Sequence, residues 1–195
     1  MSKKTDLSTQ EKILEAARKL FIERGYAATT ARDIAVEAGT NLALLNYHFK
    51  SKELLFQRVV QESMQTFFGV IALVINNETM SLDEKLKTLI DNYIGLLLEN
   101  PRMPMFIMHI IDSNPHFVGG LIDVREVLER SSLAGQIKEV NPLMDVRQFV
   151  TALLGMVIFP FMARSTIFKA KEFKAEMLKR KELIYKWGKM MLDSQ

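Results

Sequence analysis

Apolar and polar positions recur with a helical period along nearly all of this 195-residue chain, and no run alternates cleanly enough to predict a strand. Ser8 or Thr9 is placed to cap a first helix whose residues Ile13, Leu14, Ala17, Leu20 and Phe21 fall on one face, and Gly25 is suited to end it. Thr29 or Thr30 opens a short helix through Ala38, closed by Gly39, and Asn41 opens another to about His48. A longer helix follows from Ser51 with Leu54, Leu55, Val59, Phe67, Ile71 and Val74 as apolar positions, ending near Asn76-Asn77. Ser81 starts the next, through Glu99, and Pro101 separates it from a shorter helix over Met103 to about Asp112. Beyond Pro115 a helix is expected from about Phe117 to Val140, and a long apolar one from about Met144 to Lys169, which Pro160 should kink. A last helix from Glu172 to about Leu192 aligns Phe173, Met177, Ile184, Trp187 and Met191. The pattern predicts an all-α fold of about nine helices, with a three-helix head over residues 1–52 and a larger helical bundle over 53–195.

Residues 29–52 narrow the functional reading. Two short helices joined by a tight turn containing glycine form a helix-turn-helix, whose second helix fits the DNA major groove. Ile34, Ala35, Leu45 and Phe49 would face inward, leaving Arg32, Leu42, Ala43, Asn46 and Tyr47 to project. Asn is suited to adenine, Arg to guanine, and Ala or Leu to a thymine methyl, so Arg32, Leu42, Ala43 and Asn46 are candidate base readers. Tyr47, His48, Lys52 and the Thr30 hydroxyl are suited to phosphate oxygens, which set register without reading sequence.

Composition adjusts this picture modestly. The net charge is +3, and all of the surplus lies in the first 52 residues, with nine Lys/Arg against six Asp/Glu; the remainder holds seventeen of each. That placement favours attraction to phosphates. The basic stretch 164–189, with nine Lys/Arg and three Asp/Glu, reads as the solvated face of an amphipathic helix. An apolar fraction of 48% is ample for a core, and the absence of cysteine excludes disulfides, thiolate metal sites and a cysteine nucleophile. No apolar run follows the charged N-terminus, and the longest apolar stretch, Leu153 to Ala163, is too short to span a bilayer, so a cytoplasmic location is expected.

Residues 9–60 resemble the head of the tetracycline-repressor (TetR) family of bacterial transcriptional regulators. The resemblance rests on Ile13-Leu14-x-Ala16-Ala17-x-x-Leu20-Phe21, Gly25-Tyr26, Thr29-Thr30-x-x-x-Ile34-Ala35, Ala38-Gly39 and Tyr47-His48-Phe49-Lys50-Ser51-Lys52-Glu53-Leu54-Leu55. It implies a DNA-binding head followed by a helical ligand-binding and dimerisation body. It also implies repression of a palindromic operator, relieved by a small molecule, with no cofactor. On alignment its base-reading positions fall on Arg32, Leu42, Ala43 and Asn46, and its phosphate contacts on Thr30, Tyr47, His48 and Lys52. Many members carry Tyr where this chain has Asn46, so the resemblance does not carry their base preference over to this chain.

The resemblance also implies a homodimer, with two heads one helical turn apart reading a palindrome. Leu153, Val157, Phe161, Ile184, Trp187 and Met191 are the expected contact stripe. The helix from Lys52 would join head to body and act as the lever. Methionine and aromatic residues make adaptable apolar pockets. The expected effector pocket therefore draws on Tyr93, Leu97, Met103, Phe106, Met108 and His109, with Phe117, Phe159 and Phe161, and takes a hydrophobic ligand. An enzyme is not expected. The alternatives are a helical protein-interaction module, or a metal-dependent protein using His109, Asp112 and His116, a spacing that Pro115 interrupts.

Overall fold

The computed structural model describes residues 8–113 and 123–194, and among these residues there are eleven helices and no strand. The chain divides into two compact units, Met1–Gln65 and Thr66–Gln195. The division falls inside a helix, later than the boundary after residue 52 read from the pattern. The start of that helix serves the first unit, where Leu55, Val59, Val60 and Met64 are buried.

In the first unit α1 (Thr9–Arg24) starts with a reciprocal cap: Glu11 N–H donates to Ser8 Oγ, and Ser8 N–H donates to the Glu11 carboxylate. Its buried stripe is Ile13, Ala16, Ala17, Leu20 and Phe21. Gly25 ends it at φ 81°, a conformation that costs glycine little, and donates its N–H to Phe21 O at 3.0 Å. Helix α2 (Ala31–Glu37) is capped by Thr30 in the same reciprocal way with Asp33. The neighbouring Thr29 is fully buried and donates instead to Gly25 O at 2.8 Å. Helices α3 (Leu42–Phe49) and α4 (Lys52–Ile75) complete the unit. Helices α1, α2 and α3 pack on one another. Glu62 of α4 accepts from Arg18 of α1 and from Arg58 one turn away.

Helix α4 is long and apolar enough to cross a membrane by composition alone; the core helix of a soluble protein meets the same description. Besides the residues it buries in the first unit, it buries Phe67, Val74 and Ile75 in the second.

The second unit holds α5 (Leu82–Glu99), α6 (Met103–Ser113), α7 (Val124–Glu129), α8 (Ser132–Val140), α9 (Val146–Met162), α10 (Arg164–Ile167) and α11 (Phe173–Asp193). Helices α5 and α11 run antiparallel along a polar seam. Asp83 takes Lys87 at 2.8 Å, Lys189 at 3.5 Å and the Tyr185 hydroxyl, while Asp91 takes Lys181 at 3.0 Å. Under this seam lie Leu86, Ile90, Ile94, Leu97, Phe149, Val157, Ile184 and Leu192, all buried.

Two sequence expectations change here. The helix expected from about Phe117 to Val140 is broken in its described part. Ser131 donates its hydroxyl to Leu128 O and accepts from Ala134 N–H, so it ends α7 and caps α8. The long apolar helix begins at Val146 under an Asp145 cap and stops at Met162, short of Lys169. Pro160 lies within it, four residues after Met156, and so cannot donate to the Met156 carbonyl. Arg180 of α11 supplies the missing donor, Nε to Met156 O at 3.1 Å, and the helix continues past the proline.

Candidate nucleic-acid interface

The recognition geometry of the first unit follows from four buried side chains and two caps. Ile34, Ala35, Leu45 and Phe49 are buried and seat α2 and α3. Between them Gly39 adopts φ 63°, and Thr40 N–H bonds back to Ala35 O at 2.9 Å. Asn41 Oδ1 then accepts the Leu44 N–H at 2.9 Å, starting α3. With that register set, Ala43, Leu44, Asn46 and Tyr47 are exposed, Tyr47 at 80%, while Leu42 and His48 are half-buried. A large aromatic side chain held that open on an eight-residue helix gains nothing from the protein's own core.

Of the remaining candidates, Arg32 is exposed on the first turn of α2. The Thr30 hydroxyl is engaged with Asp33, donating to its carboxylate at 2.6 Å, and those bonds hold the Asp33 carboxyl below its usual range. Lys52 is more fully committed. Its ammonium donates to Tyr26 O at 3.1 Å and Thr29 O at 3.0 Å, and lies 3.9 Å from the centre of the Tyr26 ring. Lys52 therefore ties the turn between α1 and α2 to the start of α4. The Phe56 ring meets Tyr26 at a tilt, centroids 4.7 Å apart, and Phe21 edge-on at 5.0 Å, closing the same corner. Sequence reasoning missed the tether, because nothing local links Lys52 to carbonyls 23 and 26 residues earlier. It also missed Leu44, exposed on the outer face, which the one-turn spacing to Tyr47 and His48 would have revealed.

The second unit contains a small cavity of about 40 Å³. Its walls are Ile71 and Ile75 of α4, Leu86, Leu89, Ile90 and Tyr93 of α5, Leu128 of α7, Leu133 of α8, and Val150, Leu153, Leu154 and Val157 of α9. Tyr93 presents only its ring, since its hydroxyl donates to Phe67 O at 2.9 Å, and burial raises its pKa far above the usual phenol range. Of the residues expected to form a pocket, Tyr93 is in this wall. Leu97, Met103, Phe106 and Phe161 are buried elsewhere in the unit, Met108 is half-buried, and His109 and Phe159 are exposed. Phe117 lies outside the described residues, as does His116, and the other two suggested metal ligands, His109 and Asp112, are exposed at the end of α6. Among the described residues no three His, Asp or Glu side chains are gathered to hold a metal ion.

The expected dimer stripe also divides. Leu153, Val157, Phe161 and Ile184 are buried in the unit's own interior, whereas Trp187 is exposed and Met191 half-buried. The outward faces of the same two helices carry Gly155, Phe159 and Met162 on α9, and Leu183, Trp187 and Met190 on α11. Helices α9 and α11 are in contact, with Leu153 Cδ2 3.2 Å from where a Cβ on Gly188 would lie.

A first helix seated by Ile34 and Ala35, a capped glycine turn and an outward second helix define a helix-turn-helix module, joined to a body whose described elements are all helices. Residues 13–59 match the family of bacterial regulatory proteins described as the tetR family. The repressor KstR2 of Mycolicibacterium smegmatis is 35% identical over 77 residues, 40% of this chain and 38% of that protein. The HTH-type negative regulator IcaR of the Staphylococcus aureus biofilm operon is 34% identical over 74 residues, 38% and 40% of the two chains. Such matches span half or less of the curated relatives' length. A solved TetR-like regulator from Rhodococcus sp. RHA1 shares the fold over 96% of this chain and 97% of its own, with a TM-score of 0.71 at 18% identity. Residues of the first unit thus match the N-terminal model of the tetR family, and the chain shares the fold of the solved TetR-like regulator.

Proposed function

We propose that this protein is a sequence-specific DNA-binding transcriptional regulator, a repressor that works as a homodimer in the cytoplasm and leaves a palindromic operator when a small apolar ligand binds its body. The observation that carries the reading is the outward face of α3, which exposes Ala43, Leu44, Asn46 and Tyr47 beside a rigidly capped turn. We assign base contacts to Arg32, Leu42, Ala43 and Asn46, and phosphate contacts to Tyr47, His48 and the Thr30 region. Lys52 we assign to holding the turn in place, because two of its three N–H donors already bind Tyr26 O and Thr29 O. The curated relatives named above are transcriptional regulators, which favours regulation over catalysis for this chain.

Selection of bound fragments from random duplex DNA tests the proposal. A two-fold symmetric consensus with half-sites about 34–36 Å apart is expected, with affinity falling steeply as salt rises. Failure to retain any duplex at low ionic strength would sink it.

The dimer surface we propose is the outward face of α9 and α11 around Phe159 and Trp187, since the inner stripe is already covered within one protomer. Trp187→Glu should convert the dimer to monomer in sedimentation velocity and abolish operator binding. Dimers persisting in this variant would move the interface elsewhere. The effector site we propose is the apolar cavity walled by α4, α5, α7, α8 and α9. An effector must prefer the conformation that does not fit DNA, since equal affinity for both states shifts nothing.

A further inference from the structure

Between α3 and α4 the backbone makes a turn that its side chain does not favour. Lys50 donates its N–H to Asn46 O at 2.9 Å, so its Cα still follows the track of α3. The main chain then reverses, with φ 60° and ψ −46° at Lys50 and the Ser51 N–H donating to Phe49 O at 2.6 Å. Those are the marks of a γ-turn of the rarer hand, which is strained for a residue carrying a Cβ. Among the described residues Lys50 is the single non-glycine with positive φ; glycines, Gly25 and Gly39, hold the other two such positions. Two residues on, Lys52 has begun α4, and Ser51 Oγ accepts the Leu54 N–H at 3.2 Å.

A glycine would make this turn with less strain, so the lysine side chain weakens the junction rather than supporting it. No contact offsets the strain: Lys50 is exposed, and among the described residues its ammonium has no hydrogen bond or ion pair. Attraction to the last carbonyls of α3 remains, screened by water at an exposed site. What the turn does is aim the side chain. At positive φ near 60° the Cβ of an L residue stands where a helical residue, with φ of about −63°, places its carbonyl carbon. The side chain of Lys50 therefore prolongs α3 while the main chain leaves for α4. Ala43, Asn46, Tyr47 and Lys50 are all exposed and follow the spacing i, i+3, i+4, i+7, so the lysine extends the open face of the helix. It lies beyond Asn46, the last residue assigned to a base. A flexible stem ending in a point charge suits the phosphates of the flanking strand at that place.

We propose that Lys50 is a phosphate anchor at the C-terminal end of the recognition helix, a role separate from that of Lys52, whose ammonium is held by Tyr26 O and Thr29 O. The assignment rests on the DNA-binding reading and adds a contact residue to it.

Two neutral variants separate charge from backbone. Lys50→Gln removes the charge and keeps the strained turn, whereas Lys50→Gly removes both. Salt titrations of the full chain should be run on its selected duplex and on an unrelated duplex of equal length. In both variants the slope of log affinity against log salt should be shallower by about 0.9 for each head engaged. The wild type's advantage should then shrink about 3.5-fold per head between 50 and 200 mM salt, and equally on both duplexes. Lys50→Arg should keep the wild-type slope, and Lys50→Gly should unfold at higher urea than Lys50→Gln. An unchanged slope in Lys50→Gln overturns the assignment even if affinity falls, because a lysine that only shaped α3 would not alter counterion release. A loss confined to the selected duplex overturns it too, since that is base reading. So does a Lys50→Gln chain that fails to fold, or a Lys50→Gly chain less stable than Lys50→Gln, either of which makes the lysine part of the fold. A wild type that retains neither duplex at low salt removes the DNA-binding reading itself, and this contact with it.

Discussion

Replacing Lys52 by methionine removes an ammonium while keeping most of the aliphatic stem. In the native protein that ammonium holds two carbonyls, Tyr26 O and Thr29 O, and lies over the Tyr26 ring. A hydrogen bond to a charged donor is worth about 1.5–3 kcal/mol when shielded from water. Lys52 is half-buried, so solvent screening reduces each to about 1 kcal/mol. The contact with the ring adds roughly 0.5–1 kcal/mol. The expected loss is therefore about 2–3 kcal/mol, felt where the turn enters the Thr30 cap and thus at the orientation of α2 and α3. The assay is urea unfolding of the full chain beside a salt titration of operator binding. Lys52→Met should lower the unfolding midpoint and weaken DNA binding, yet leave the slope of log affinity against log salt unchanged. A lysine that neutralises a phosphate behaves oppositely, with unaltered stability and a slope smaller by about one. That second outcome would refute the tether.

Other substitutions probe the remaining arguments. Asn46→Ala should relax preference at one base pair by about 1–3 kcal/mol, read from competition between operator variants; an unchanged consensus removes Asn46 from the readout. Arg180→Leu strands the Met156 carbonyl and should cost about 1–2 kcal/mol in urea unfolding. Pro160→Ala supplies the missing N–H, so the double variant should recover most of that loss, and equal costs in both backgrounds contradict the account of the proline. Asp83, held at about 2 first by Lys87 and then by Tyr185, gains stability from its charged form. A depressed carboxylate pKa makes that contribution full above about pH 4 and lost as pH falls toward 2. Being partly exposed, it should amount to under about 1 kcal/mol, and Asp83→Asn should flatten the acid limb of the stability curve in this window.

Much of this protein was legible before any coordinate. Helix starts at Ser8, Thr30, Asn41 and Ser81, and stops at Gly25 and Gly39, come from side-chain or backbone preferences acting within four residues. A residue-by-residue reading can see such effects. The same locality made the helix-turn-helix recognisable and put Leu45 and Phe49 on its inner side. The partner of a charged side chain was not legible. Lys52 reaches back to Tyr26 and Thr29, Arg180 reaches Met156, and Lys85 reaches Ser132. Nor could helical period decide which apolar stripe of α9 turns inward, because Leu153, Val157 and Phe161 compete with Phe159 and Met162 on the same helix. Periodicity assigns residues to a face, but only packing against α5 and α11 determines which face loses its water, and with it where the cavity lies and which surface is left for a partner.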